Sequence, residues 1–156
     1  MKKLLEKQVV FTWVLRILAA WSKKPWTDRW IPGTTRRLAR LNVLLNRPQP
    51  TSEAKELAQT WVDLMPPDGK ENFQIKSVEG DTAYVEIHLH CPLRATGDVR
   101  ACHRLMNYDR NLMKAVGGQL IVLESQSNSG KSFCRLAIRK AGLSVDDLPA
   151  AYMESE

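Results

Sequence analysis

The chain of 156 residues predicts an α+β fold in which N-terminal helices pack on a four-stranded antiparallel sheet of strand–strand–helix–strand–strand order. Three observations predict it. Apolar residues recur at spacings of three and four through the first 64 positions, as on core-facing helices. From Asn72 the period falls to two in four short runs, and a single helical pattern lies between the second run and the third. At this length the chain 1–156 is expected to form a single domain with its own core, made of a basic helical part at 1–66 and a sheet part at 72–140.

The first helix is marked by Leu4, Leu5, Val9, Trp13, Ile17 and Trp21, which form an apolar stripe. Residues 9–21 are the one stretch that mimics a membrane span or a leader peptide. They are too few to cross a bilayer, Arg16 sits in their middle, and Ser22-Lys23-Lys24 follows where a small-residue cleavage site belongs. A soluble or surface-lying helix is expected, with no transmembrane segment. Pro25 and Pro32-Gly33 break the pattern before a second helix over 35–46, with Leu38, Leu41 and Leu45 on one face and Arg36, Arg37 and Arg40 around it. Thr51 or Ser52 is expected to cap a third helix that runs to Leu64 and buries Leu57, Trp61 and Leu64. The run Met65-Pro66-Pro67-Asp68-Gly69 closes the helical part.

Strands over 73–78 and 82–91 follow, joined by Glu79-Gly80-Asp81 as a tight hairpin turn. In the second, Val85, Ile87, Leu89 and Cys91 share one face, while Tyr84, Glu86, His88 and His90 share the other. Pro92 stops it. A helix is predicted over 98–116, capped by Thr96 or Asp98 and ended by Gly117-Gly118, with Val99, Cys102, Leu105, Met106, Leu112, Met113 and Val116 inward. Strands over 119–127 and 132–139 complete the sheet, the last carrying Cys134, Leu136 and Ile138 inward and Arg135 and Arg139 outward.

Ser129-Gly130-Lys131-Ser132 looks like the tail of a phosphate-binding loop. Such a loop needs a glycine where Ser125 stands, so that successive amides turn toward the phosphate, and its lysine must open a helix. Residues 133–138 alternate like a strand instead. Asn128-Ser129-Gly130 therefore reads as hairpin chemistry, and a nucleotide site is excluded.

Composition is that of a globular protein, 44% hydrophobic and 26% charged. Three cysteines make an odd count without disulfide-rich character, which points to a reducing compartment and a cytoplasmic location. The net charge of +6 is uneven: residues 1–50 hold eleven Lys and Arg against Glu6 and Asp28. That third suits an acidic partner protein, nucleic acid or an anionic membrane, or else forms solvated helix faces.

All three cysteines fall on inward faces, at a strand end, near a helix start and in the last strand. Free cysteine packs as a small hydrophobe, so a core role is open. As ligands, Cys91, Cys102 and Cys134 can hold zinc with His90 or His103 as the fourth donor, or an iron–sulfur cluster with an open position, although no Cys-x-x-Cys pair is present. Arg94, Thr96, Gly97 and Asp98 are placed to form the lip of a small-molecule site, glycine allowing close backbone approach and arginine pairing with an anion. Tyr108-Asp109-Arg110 can offer an acid and a cation to a ligand but reads rather as a solvated or surface-paired set, and His88 and His90 beside Glu86 read as an exposed strand face, with metal ligation the alternative.

The succession "HCPL", a helix with a second cysteine, "GGQLIVLESQS", a turn and "FCRLAIR" resembles the small-molecule-binding domain of the four-vinyl reductases of bacteriochlorophyll synthesis. It is also similar to the L-2-amino-thiazoline-4-carboxylic acid hydrolase-like proteins, over residues 73–139. The resemblance implies a fold group shared with haem–nitric-oxide sensors and transport-particle subunits, and a cysteine metal site matched here by Cys91, Cys102 and Cys134. Ser125 and Ser127 stand where that pattern has a third-strand cysteine. It further implies hydrolase- or reductase-like chemistry on a small molecule, with a cysteine as nucleophile or ligand. The rival reading is an interaction module docking through its basic helices, with structural cysteines only.

Overall fold

A computed structural model describes residues 7–22 and 30–152 of the chain. Three helices come first, α1 (Lys7–Ser22), α2 (Ile31–Asn46) and α3 (Ala54–Asp63), followed by a 3-10 turn at Pro67–Asn72. The remainder is β1 (Phe73–Glu79), β2 (Thr82–Ile87), α4 (Val99–Leu105), α5 (Asn107–Ala115), β3 (Gly118–Glu124) and β4 (Cys134–Lys140). The architecture is α+β, with one antiparallel sheet ordered β1-β2-β4-β3. The expected succession of helices and strands holds apart from the 3-10 turn and the division of the helix between β2 and β3 into α4 and α5. Leu4, Leu5 and Pro25 lie outside the described residues.

The core is a continuous apolar cluster. Leu57 and Trp61 of α3, Leu112 and Met113 of α5, and Val85, Leu136 and Ile138 of the sheet are fully buried within it. Trp61 meets Phe73 edge to face at 5.5 Å. Val85 pairs with Leu136 across the β2–β4 ladder, so the inward residues of both strands fall in one layer.

Several boundaries differ from the periodicity. The second strand stops at Ile87, which pairs with Cys134, the first residue of β4; beyond it no strand offers backbone partners. Residues 88–91 leave the sheet, and the His88 N–H donates to Asn72 O at 2.7 Å. The long helix is interrupted at Met106, where the following Asn107 side chain donates to Pro32 O and Thr35 Oγ1 at 3.2 and 2.9 Å, tying the bend to α2. Glu53, rather than Thr51 or Ser52, precedes α3, and the Thr51 hydroxyl is bonded to Glu56. Helix α2 begins four residues early because Pro32, whose fixed φ suits the first turn, starts the helix instead of breaking it. Asp98 does cap α4, accepting from the Ala101 N–H at 2.8 Å.

The larger correction concerns the apolar stripes of α1 and α2. Trp13, Ile17, Trp21, Leu41 and Leu45 are exposed, and Leu38 is half-buried. The core takes Leu18 and Ala19 from α1 and Ala39 from α2. Periodicity identifies an apolar face, but the neighbouring elements decide which side of each helix is buried.

Candidate functional site

The three free thiols gather around one short segment, residues 125–127, where the chain has left β3. Ser125 Oγ donates to Cys102 Sγ at 3.0 Å, and the Gln126 N–H donates to Cys134 Sγ at 3.4 Å. Cys91 Sγ accepts from the Leu93 N–H at 3.4 Å. Gln126, fully enclosed, is the hub. Its Nε2 donates to Leu89 O at 2.9 Å and its Oε1 accepts from the Cys91 N–H at 3.2 Å, replacing the ladder that residues 88–91 lack. The loop after Cys91 is tied to the same segment, with the Ala95 N–H on Gln126 O and the Gly97 N–H on Ser127 O. Ala95 and Gly97 both adopt positive φ to make this approach.

Burial governs the thiols. It pushes Cys134 up to about 12 against a hydrogen bond from the Gln126 amide, and negative charge on Cys102 or Cys91 would raise it further. Cys102 is raised too, chiefly by burial, with the Ser125 hydroxyl opposing and Cys91 adding to the shift. The three sulfurs are thus within electrostatic reach of one another, and Cys102 and Cys134 are thiols, not thiolates, at neutral pH.

A cavity of about 540 Å3 lies between α1, α2, the 65–67 turn and the end of β2. Its lining is mostly apolar, including Leu18, Leu38, Leu41, Leu45 and Phe73. The lining also includes Cys91, Cys134 and Gln126, together with Tyr108 and Asp109. A second cavity of about 420 Å3 is lined by Cys102, Ser125, His103, Arg110, Leu148 and Tyr152 among others. The 125–126 segment is therefore a wall, with two thiols facing one space and the third facing another.

Tyr108 and Asp109 were expected on a solvated surface. Instead the Tyr108 hydroxyl accepts from Asn42 Nδ2 at 2.6 Å, and Asp109 Oδ1 accepts from Trp61 Nε1 at 2.9 Å. Asp109 keeps partial exposure as a residue, but its carboxyl is enclosed beside the buried indole, and burial raises it to about 6. Burial likewise raises Tyr108 to about 12, opposed by the Asn42 hydrogen bond. A fully buried Trp61 requires an acceptor for its N–H, and this is the one signal that could have placed a polar group opposite it.

The other sequence-selected residues are dispersed. His90 is exposed, and His103 packs its ring on Tyr152 at 4.6 Å in the second cavity. Arg94, Thr96 and Gly97 are exposed, Asp98 is occupied as a helix cap, and none of the four lines either cavity. Thr96 Oγ1 donates to Leu93 O at 2.7 Å, so the loop's polar groups hold the loop itself. His88 pairs with Glu86 at 2.9 Å and stacks on Phe133. Lys131 pairs with Glu124 at 2.7 Å across the hairpin, with Gly130 at φ 73° in the turn, and no helix follows it.

Among the described residues no group of three or more His, Cys, Asp or Glu side chains is placed to hold one metal ion. Ser125 Oγ, bonded to Cys102 Sγ, lies 2.9 Å from Ser127 Oγ, while His90 is exposed and His103 packs on Tyr152. The donor set as it stands does not close a four-ligand zinc or iron–sulfur site. No model of a known protein family, no curated protein and no solved structure matches this chain.

Proposed function

We propose that the protein binds a small, largely apolar molecule carrying a hydrogen-bonding group, held in the cavity between the N-terminal helices and the sheet. The observation that carries this reading is the convergence of Cys91, Cys134, Gln126, Tyr108 and Asp109 on one mostly apolar cavity of about 540 Å3. Small-molecule sites have this size and this make-up, a hydrophobic lining with a few polar groups that orient the ligand. Cys91, half-buried, offers a thiol to the ligand, and Asp109 offers a carboxyl that exchanges its proton near pH 6. The resemblance of residues 73–139 to a small-molecule-binding domain points the same way. The raised thiols favour packing and weak hydrogen bonding over nucleophilic attack.

The test is saturable binding of an apolar fluorescent probe, anilinonaphthalene sulfonate, to two variants. Leu38→Trp fills the cavity and is expected to weaken the probe's binding at least tenfold, whereas Leu44→Trp, outside the lining, leaves it unchanged. Equal binding by both would remove the cavity from the reading. Anaerobic purification with elemental analysis tests the thiol cluster separately. Stoichiometric zinc or iron, lost in each of Cys91→Ser, Cys102→Ser and Cys134→Ser, would replace the small-molecule reading with a metal site.

A further inference from the structure

The exposed face of α1 and α2 has a composition that neither solvent nor the core explains. Trp13, Ile17 and Trp21 recur every four residues on α1 and are 57%, 46% and 52% exposed. Trp30, at the start of α2, is 72% exposed, and Leu44 and Leu45 are 71% and 72% exposed. Arg37 stands four residues before Leu41 and Arg40 four before Leu44, so cations and leucines share one stripe. Over 7–22 and 30–50 the sequence contains no Asp or Glu at all. Arg16, Arg36, Arg37, Arg40 and Arg47 are exposed, and among the described residues none of them is held by a carboxylate. Val14 of α1 and Leu41 and Leu45 of α2 line one cavity, so these positions of the two helices lie near each other.

We propose that this face docks on an anionic lipid membrane, lying in its surface without spanning it. Charge complementarity selects a negative partner, because the described residues of α1 and α2 include cations and no acid. The apolar side chains select among negative partners. Nucleic-acid phosphates would satisfy the arginines but leave the exposed leucines and Ile17 uncovered. A bilayer interface takes both, accepting Trp and Leu at the headgroup boundary while the arginines meet anionic headgroups. Among the described residues no helix is long and apolar enough to cross a membrane, so docking is peripheral. The inference is independent of what the cavity binds.

Flotation of the full chain with phosphatidylcholine vesicles, with and without phosphatidylserine, tests it, with brominated phosphatidylcholine reporting tryptophan insertion. The expected result is binding that requires phosphatidylserine, falls as salt rises, and is accompanied by quenching of tryptophan emission. Arg37→Gln with Arg40→Gln is expected to lower partitioning roughly thirtyfold, at about 1 kcal/mol per cation near an anionic surface. Leu44→Ser with Leu45→Ser is expected to lower partitioning and quenching together, with circular dichroism unchanged. Absence of wild-type flotation at low salt would overturn the proposal. So would wild-type flotation without quenching, or binding to duplex DNA or RNA that shows the same arginine dependence in protein that ignores vesicles. The wild-type quenching result stands even if a variant fails to fold.

Discussion

The helical third and the sheet half of this molecule use apolar residues in opposite ways. In β2 and β4 the alternate apolar positions Val85, Leu136 and Ile138 are completely enclosed, and the outward positions carry Tyr84, Glu86 and Arg135. In α1 and α2 most of the large apolar side chains, Trp13, Ile17, Trp21, Leu41, Leu44 and Leu45 among them, are exposed, and Leu18, Ala19, Ile31 and Ala39 are buried. The difference teaches that a strand's inward face is set by the pleat and its ladder, whereas a helix has several faces, and the neighbour decides which is used.

The largest expected effect breaks that contrast directly. Leu57→Ala, in the core beneath the sheet, is expected to destabilise by about 2 to 5 kcal/mol, while Leu44→Ala stays within about 0.5 kcal/mol. Chemical denaturation of the two variants measures it, and comparable losses would show that the α2 face is packed. Next, Gln126→Ala removes the side chain that satisfies Leu89 O and the Cys91 N–H at the seam between the two regions. A loss of about 2 to 3 kcal/mol is expected, with faster amide exchange at Cys91.

Asp109 sharpens the comparison through pH. Its folded value of about 6 lies above the ordinary carboxyl value of 3.8, so its contribution is fully favourable below about pH 4 and is lost as the pH rises through about 6. Asp109→Asn keeps an acceptor for Trp61 and removes the ionisation. It is expected to gain about 3 kcal/mol at pH 7, the gain shrinking toward zero at about pH 4. A pH-independent difference would show that Asp109 does not titrate against burial. The smallest effect belongs to the exposed hairpin. Lys131→Ala loses the pair with Glu124 and is expected to cost about 0.5 kcal/mol or less, without any nucleotide-dependent change.

Much of the fold was legible in local pattern. The switch of period at Asn72, Asp98 as a cap and the glycine of the 128–130 turn each reflect chemistry confined to a few residues. The inward setting of Cys102 and Cys134 followed from the same alternation. The end of β2 was not legible, because it depends on where β4 begins, some fifty residues away in sequence. The enclosure of Asp109 was hidden for a similar reason: Trp61, its partner, lies on another helix. Pattern placed the thiols on inward faces, but it did not show that the 125–126 segment divides them between two cavities.

The sheet order β1-β2-β4-β3 has a consequence for the protein's biosynthesis. β4, the last strand to be made, lies between β2 and β3 and pairs with both. Until residues 134–140 leave the ribosome, the inner edges of β2 and β3 have no partner, and the apolar faces of α3 and α5 have half a sheet to cover them. Nascent chains therefore present unpaired strand edges between the making of β2, which ends at Ile87, and of β4, which ends at Lys140, the state in which chains associate wrongly or recruit chaperones. Substitutions that weaken β4 are expected to reduce the yield of folded protein more than an equal loss of stability in α3, because β4 arrives when every other element is already waiting.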